Sequence, residues 1–282
     1  MQFLFVDRIV DLQPGTTTKG IKHITADDYY MLRDASDRRY FMPALVGEAV
    51  GQLSAWNVMM STDFTMRPVA GISDCARVHR PVYEGEVLSL ESTIHRLDDA
   101  AVHYDGKAYV GDELVFELMG ALGPMLPMQD FIDTEVVKSQ FDALFSDDAS
   151  TSTPKLTQGH VAASLVQFDS IKALEPGISI EAEKTIHADV PYFADHFPKK
   201  PVLPLTILLE NLMGLSSVLA NDPAFKVSEM RRIKMSDFVT PGDIINAKLS
   251  VKSFEEDTLV LRGKISRSDK RVCVLEIVMV KS

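Results

Sequence analysis

The sequence predicts an α+β fold made of two tandem repeats, each an antiparallel sheet wrapped around one central helix. Three observations predict it. The two halves of the chain are similar to each other, each half contains one apolar stretch of helical length, and runs of alternating or β-branched residues follow each such stretch. A helix that is apolar on most of its surface needs a sheet or another helix to cover it, which is an α+β layer arrangement.

The internal repeat is visible without any gap over the first part of each half. VDRIVDLQPG (6–15) lies over FDSIKALEPG (168–177), where Asp, Ile, Leu, Pro and Gly coincide, and at the same spacing Glu48 lies over Glu210. Five residues then drop out, after which RVHRPVYEGEVLSLESTIH (77–95) lies over KMSDFVTPGDIINAKLSVK (234–252). A shared order of elements indicates duplication of one domain.

Each half contains the same predicted elements in the same order. A short strand with a Pro-Gly turn comes first, and a second strand and an aromatic loop follow it. The apolar helix comes next, roughly at 44–60 in the first half and 204–220 in the second. Alternating and β-branched residues predict the closing strands. These strands are VLSLESTIH, AVHYDGKAYV and ELVFELMGAL in the first half, and IINAKLSVKSF, TLVLRGKI and RVCVLEIVMV in the second.

The segment between the repeats has a different composition. It covers 129–158 and ends in SDDASTSTPKLTQ, where Ser, Thr, Asp and Pro dominate as in a surface linker. We therefore predict an N-terminal domain at 1–128, a linker at 129–158 and a C-terminal domain at 159–282.

Composition and charge exclude several classes of function. The 282 residues are 46% hydrophobic and 24% charged, which is typical of globular proteins, and no apolar run is long enough for a membrane span. The net charge of −11 disfavours nucleic acid as a general partner. Cys75 and Cys273 are the only cysteines, which fits a reducing cytoplasm rather than a disulfide framework. Neither the cysteines nor the histidines have the spacing of a metal site, and no cofactor is expected.

One histidine motif stands directly before the second apolar helix. YFADHFPKKPVLP (192–204) contains His196, and LTILLENLMGL follows it with Glu210 fourteen residues after the histidine. Glu48 occupies the matching place in PALVGEAVGQLSAW of the first half. A carboxyl group in an apolar helix has its charged form disfavoured, so it can hold a proton to donate, and a neutral imidazole is a competent base.

These segments together resemble a known family. FLFVDRIVDLQPG, then PYFADHFPKKPVLP with a glutamate-bearing apolar helix, then a VTPGD turn, are similar to the hot-dog-fold β-hydroxyacyl-[acyl carrier protein] dehydratases of fatty acid synthesis. The resemblance covers nearly the whole chain apart from the linker, once for each half. It implies a double hot-dog, in which the two repeats pair as a pseudo-dimer with a continuous sheet surface and adjacent helices.

The resemblance also implies which residues work together. In that family the catalytic histidine comes from one unit and the acid from the helix of the other, so His196 is expected to pair with Glu48. Gln52, one helical turn after Glu48, is expected to orient it by a hydrogen bond. Glu210 then faces a second or degenerate site, where the alignment places Asp34 opposite the missing histidine.

The start of each helix is expected to stabilise the thioester oxyanion with backbone N–H groups. The family has a glycine there, whereas the alignment places Pro43 in the first half and Leu205 in the second. Because proline has no N–H, Ala44 takes this role in the first half if the alignment slips by one residue. Leu205 takes it in the second half.

An acyl carrier protein, which is small and acidic, is the partner that the resemblance implies, and it carries the acyl chain on 4′-phosphopantetheine. A basic rim is predicted to dock it on this otherwise acidic protein. The residues of that rim are Lys199, Lys200, Arg231, Arg232 and Lys234. A solvated basic surface with no partner is the alternative reading of the same residues.

The function that follows from the resemblance is dehydration of carrier-bound 3-hydroxyacyl thioesters to trans-2-enoyl thioesters, in fatty acid, polyketide or related acyl synthesis. The protein is expected to be a soluble, cytoplasmic, cofactor-free hydro-lyase, and two pseudo-dimers could associate further. Two alternatives remain open at this point. One is a thioesterase or an isomerising dehydratase on the same fold, because a fold does not determine its chemistry. The other is a non-catalytic subunit that binds an acyl carrier.

Overall fold

The computed structural model of the chain describes residues 3–145 and 163–281. The first repeat contains β1 (Arg8–Gln13), β2 (Thr17–His23), β3 (Met31–Arg33), β4 (Arg39–Phe41), α1 (Pro43–Ser61), β5 (Met66–Pro68), β6 (Ile72–Val78), β7 (Val82–Tyr83), β8 (Val87–Leu97), β9 (Ala101–Val110) and β10 (Glu113–Pro127). A 3₁₀ helix (Met128–Asp130) and α2 (Thr134–Ala143) follow. The second repeat contains α3 (Ala163–Val166), β11 (Ser170–Glu175), β12 (Ser179–Thr185), a 3₁₀ helix (Pro191–Ala194), α4 (Leu205–Ala220), β13 (Phe225–Met235), β14 (Ile244–Glu255), β15 (Thr258–Arg267) and β16 (Lys270–Lys281).

One antiparallel sheet runs through both repeats and confirms the predicted α+β double repeat. Its strand order is β1-β2-β8-β9-β10-β6-β13-β16-β15-β14-β12-β11, with β5 added on β10. The repeats meet where β6 pairs with β13, for example at Ala76 opposite Met230. Six strands on either side of this seam follow the same order outwards, so the two halves form a pseudo-dimer within one chain.

The two central helices lie against each other beneath this sheet. Leu45, Val50 and Leu53 of α1 and Ile207 and Leu212 of α4 are fully buried. Burial of such side chains contributes about 1.5–3 kcal/mol each to folding. Both helices are apolar on most faces, so only a few of their positions carry a polar side chain near the other helix. Glu48 of α1 and Glu210 of α4 are two such positions.

The described part of the segment between the repeats is packed rather than exposed throughout. Val137 of α2 is buried, and Phe141 contacts the rings of Trp56 and Phe64. Phe131 is also buried, and its ring lies 4.9 Å from that of Phe197 in the second repeat. The predicted linker therefore begins as part of the first repeat and contacts the histidine loop. Its remaining residues, 146–158, and the predicted domain start at 159–162 lie outside the described residues.

The predicted aromatic loop of the first repeat contains a small second sheet, with strand order β3-β4-β7. These strands are two or three residues long, which is too short for an alternating pattern to indicate them. In the described part of the chain, no helix has the length and apolar character needed to cross a membrane.

Candidate active site

A cavity of about 210 Å³ is lined by residues of both repeats. The first repeat contributes Glu48 and Gln52 from α1 and Arg67 from β5, and the second contributes His196 and Leu205. The histidine of one repeat and the glutamate of the other therefore line the same space. This is the combination that the resemblance implies, and it depends on the side-by-side position of the two central helices.

His196 is held in a fixed orientation by the loop that carries it. Its backbone N–H donates to Tyr192 O at 2.7 Å, and Phe197, the next residue, has a φ of 63°, in the left-handed region that a non-glycine residue adopts at a cost. The imidazole stacks on Phe197 with a centroid distance of 3.9 Å and meets the edge of Phe3 at 5.3 Å. The ring is therefore clamped between two aromatic side chains.

The tautomer of His196 follows from the hydrogen bond that its imidazole ring makes. Nδ1 lies 3.1 Å from the carbonyl oxygen of Val202, and because a carbonyl only accepts, Nδ1 must carry the hydrogen. Nε2 then has a free lone pair. Burial, together with the positive charge of Arg67, lowers the pKa of His196 to about 3, so the imidazole is neutral at physiological pH. The residue is in the protonation state that a general base requires.

Glu48 is held at both oxygens. Gln52 Nε2 donates to Oε1 at 3.0 Å, and the Thr206 hydroxyl donates to Oε2 at 2.7 Å. The amide of Gln52 cannot turn over, because its Oε1 accepts the N–H of Phe5 and its Nε2 also donates to Phe3 O. Burial raises the pKa of Glu48, although the hydrogen bonds that Thr206 and Gln52 donate to it oppose the shift.

The two helix starts differ in what their N–H groups do. The first N–H groups of a helix have no acceptor within it, and neither helix has a side-chain cap. Leu205 lines the cavity at the start of α4, and in the described residues its N–H has no hydrogen-bond acceptor. At the start of α1, Pro43 has no N–H and Ala44 N donates to Glu210 Oε2 at 3.1 Å. The N–H of Ala44 is therefore already occupied.

Glu210 and Asp34, the residues of the expected second site, have different hydrogen-bond partners, and the charges of both act on Tyr40. Glu210 is 5% exposed, and its burial raises its pKa to about 7. Asp34 lies in the loop between β3 and β4, where its carboxylate accepts hydrogen bonds from the N–H of Ser36 and from the backbone and guanidinium of Arg38. The described structure shows no hydrogen bond between the two carboxylates, and neither lines the cavity that contains His196.

The basic residues expected at the rim divide into two groups. Lys199 pairs with Asp133, and the ammonium of Lys200 lies over the rings of Phe131 and Phe238. Arg231 and Arg232 both pair with Glu276, which also binds Lys252, whereas Lys234 is exposed. The two lysines are thus adjacent to the His196 loop, and the charge of the two arginines is partly neutralised.

Two residues of the site were missed by sequence reasoning. Thr206 bonds Glu48 across the two repeats, a contact that only the packing of α1 on α4 creates. Arg67 lines the cavity, and the electrostatic effect of its charge reaches both Glu48 and His196. A signal for Arg67 was present, because it is the only charge in the run FTMRPVAGI between α1 and the next long strand.

Comparison with solved structures shows the class of fold. A MaoC-like dehydratase superposes with a TM-score of 0.61 at 13% identity, over 95% of this chain and 98% of that one. An acyl-ACP thioesterase from Bacteroides thetaiotaomicron superposes with a TM-score of 0.54 at 10% identity, over 93% of this chain and 97% of that one. At such identities the likeness concerns the double hot-dog fold alone, and enzymes of two kinds share it.

Sequence comparison narrows the class to a family. Residues 172–274 match the ApeI-like dehydratase family. The 3-hydroxyacyl-[acyl-carrier-protein] dehydratase FabZ of Natranaerobius thermophilus is 34% identical over 112 residues, which are 39% of this chain and 79% of that protein. The FabZ of Desulforamulus reducens is 34% identical over 125 residues, 43% of this chain and 87% of the relative. The chain belongs to the hot-dog-fold dehydratase family.

Proposed function

We propose that the protein removes water from a 3-hydroxyacyl thioester and releases a trans-2-enoyl thioester, with His196 as general base and Glu48 as general acid. The observation that carries the proposal is the shared cavity, in which a neutral imidazole with a free Nε2 and a carboxyl group of raised pKa come from opposite repeats. Relative to the same groups in water, the pKa of His196 is lowered and the pKa of Glu48 is raised. This separation is typical of an acid–base pair.

The first step uses His196. Nε2 takes the proton from C2 of the substrate, and the electron pair of that C–H bond moves into the thioester to form an enolate. Negative charge develops on the thioester oxygen, and we assign its stabilisation to the N–H of Leu205, which lines the cavity at the start of α4. A preorganised donor of this kind contributes about 10²–10³-fold to the rate.

The second step uses Glu48. Because Oε1 accepts an N–H of Gln52, the proton of the neutral carboxyl lies on Oε2, where the Thr206 hydroxyl can turn to accept it. Glu48 gives this proton to the departing 3-hydroxyl as the C3–O bond breaks, and the enolate electrons form the C2–C3 double bond. The products are the enoyl thioester and water. One proton then returns from His196 to Glu48 before the next turnover.

The acyl group is expected to arrive on an acyl carrier protein, the carrier printed in the names of the FabZ relatives. Lys199 and Lys200 follow the catalytic loop directly, and Lys234 is exposed on β13. We assign docking of the acidic carrier to these lysines, with a smaller contribution from Arg231 and Arg232 because Glu276 binds both. Two free, buried cysteines fit a reducing compartment, and we place the reaction in the cytoplasm.

The test compares Glu48→Gln with Glu210→Gln in a dehydration assay on 3-hydroxyacyl thioesters. Both changes keep the shape of the side chain and remove the acid, so they are matched in every respect except position. We expect Glu48→Gln to lower kcat/KM about 10²–10⁴-fold. Glu210→Gln is expected to keep it near the wild-type value. The reverse ranking would show that the acid comes from the same repeat as the histidine.

A His196→Ala variant separates dehydration from thioester hydrolysis. The proposal predicts loss of enoyl product in this variant. A thioesterase that activates water with a carboxylate does not need the imidazole. The protein would therefore be a thioesterase if His196→Ala hydrolysed thioesters at the wild-type rate and the wild type catalysed no dehydration.

A further inference from the structure

Arg67 is a half-buried cation at the cavity wall that the proposed reaction does not use. It lies on β5, and its side chain lines the cavity together with His196 and Glu48. The guanidinium carbon stacks over the ring of Phe197 at 4.0 Å and lies 5.6 Å from that of Phe131. Its Nε is buried, and in the described residues it has no hydrogen-bond partner. The side chain is therefore held at the cavity wall by two aromatic rings rather than by an acid.

Among the described residues Arg67 forms no ion pair, and Glu48 is the carboxyl group whose negative charge, when ionised, would act on the guanidinium. Burial lowers its pKa to about 10, so it remains protonated at physiological pH. Glu48 has a raised pKa, and in the proposed mechanism it begins the reaction neutral. An unpaired charge removed from water is destabilising, and a ligand that brings the opposite charge offsets this destabilisation.

We propose that the acyl chain of the natural substrate carries a carboxylate, and that Arg67 binds this carboxylate inside the cavity. The inference rests on the proposed function, because it takes Glu48 as the neutral acid and the cavity as the acyl site. A planar guanidinium with free N–H groups matches a carboxylate in geometry as well as in charge. The substrate class is then the monothioester of a 3-hydroxy dicarboxylic acid.

Substrate binding also affects the base. The guanidinium disfavours the imidazolium that forms when His196 takes the C2 proton. A carboxylate bound to Arg67 offsets this repulsion, whereas a methyl-terminated chain leaves it in place. A charged substrate therefore makes His196 a stronger base than an uncharged substrate does, so selectivity is expected in kcat as well as in binding.

The test measures binding of saturated pantetheine thioesters, which have no 3-hydroxyl and cannot be dehydrated. Succinyl-, glutaryl- and adipoyl-pantetheine are compared by titration calorimetry with butyryl-, pentanoyl- and hexanoyl-pantetheine. For at least one matched pair we expect the wild-type protein to bind the carboxylate about tenfold or more tightly, as a charge-assisted pair in a buried site allows. Arg67→Met is expected to remove this preference, and Arg67→Lys to keep part of it.

Arg262→Met is the matched control for a lost arginine charge, because Arg262 is exposed on β15, and it should keep the preference. Thermal unfolding of Arg67→Met verifies that the variant is folded, which we expect because the change removes an unpaired charge. Equal affinities across all pairs in the wild type would overturn the inference. An equal loss of affinity for both kinds of thioester in Arg67→Met would also overturn it. Arg67 would then contact the pantetheine or the thioester, which all of these ligands share. A preference without dehydration of any substrate would keep the carboxylate site and reject the proposed reaction.

Discussion

The starts of α1 and α4 are equivalent positions of the two repeats, yet their chemistry has diverged. Ala44 and Thr206 are each the second residue of their helix, and the glutamate of the opposite helix bonds to each of them. Glu48 accepts the hydroxyl of Thr206, whereas Glu210 accepts the backbone N–H of Ala44. The partner at the opposite helix start is thus a side-chain hydroxyl for Glu48 and a backbone N–H for Glu210.

The consequence concerns the N–H groups that a substrate oxyanion needs. At α1 the carboxylate of Glu210 accepts the N–H of Ala44, and Pro43 has no N–H to donate. At α4 the Thr206 hydroxyl donates to Glu48, and among the residues that the structure describes the N–H of Leu205 has no acceptor. In the mechanism that we propose, the start of α4 therefore keeps a donor for the reaction, whereas α1 has its first N–H bonded to a side chain.

The largest effect is expected when the start of α4 is made to resemble that of α1. Leu205→Pro removes the N–H that we assign to the oxyanion, and one such donor is expected to account for about 10²–10³-fold in kcat. The helix should tolerate the change, since proline favours the first helical position and Pro204 already has the extended ψ of 134° that precedes a proline. Comparing kcat for dehydration between Leu205→Pro and the wild type tests this expectation.

Leu205→Ala is the control for the lost side chain, because it keeps the N–H. Equal activity of the proline and alanine variants would show that this N–H does not bind the oxyanion. Pro43→Ala at the start of α1 is expected to leave the rate unchanged.

The second effect concerns stability and the buried carboxyl of Glu210. Its pKa is raised to about 7 in the folded protein, above the value of 4.5 in water, so the folded state binds more protons between these values and loses stability as the pH rises through them. Glu210→Gln keeps an oxygen for the Ala44 N–H but cannot ionise. We therefore expect it to be more stable than the wild type at pH 8, by up to about 3 kcal/mol, and similar to it near pH 4.5.

Urea unfolding of both proteins at the two pH values measures this difference. Glu255→Gln, at an exposed position, serves as the matched control and should show no such dependence. If the difference in the free energy of unfolding between Glu210→Gln and the wild type were the same at both pH values, the charge of Glu210 in the folded protein would not change between them.

Much of this comparison was accessible from the sequence. The repeat, the two apolar helices and the closing strands are confirmed, because each rests on a pattern that is local in the chain. The shared cavity of His196 and Glu48 agrees with the pairing implied by resemblance. Thr206 was not predicted, because its bond to Glu48 depends on how α1 packs on α4, and Arg67 was not predicted, because it contacts Phe197 of the other repeat. The packing of Phe131 was not predicted either, because the contact of its ring with Phe197 joins residues that are far apart in the sequence.

The smallest effect is expected from the hydroxyl that separates the two helix starts. Thr206→Ala gives α4 the residue that α1 has at this place, and the loss of its hydrogen bond frees Glu48 to turn to the backbone N–H, as Glu210 does. We expect kcat to fall about tenfold, which corresponds to about 1.4 kcal/mol, the size of one hydrogen bond to an ionisable group. Thr206→Ser keeps the hydroxyl and should restore the rate, so the pair separates the hydrogen bond from the methyl group. If the alanine and serine variants dehydrate the substrate equally well, the position of Glu48 does not depend on Thr206, and the divergence of the two helix starts must lie with Pro43 and Leu205.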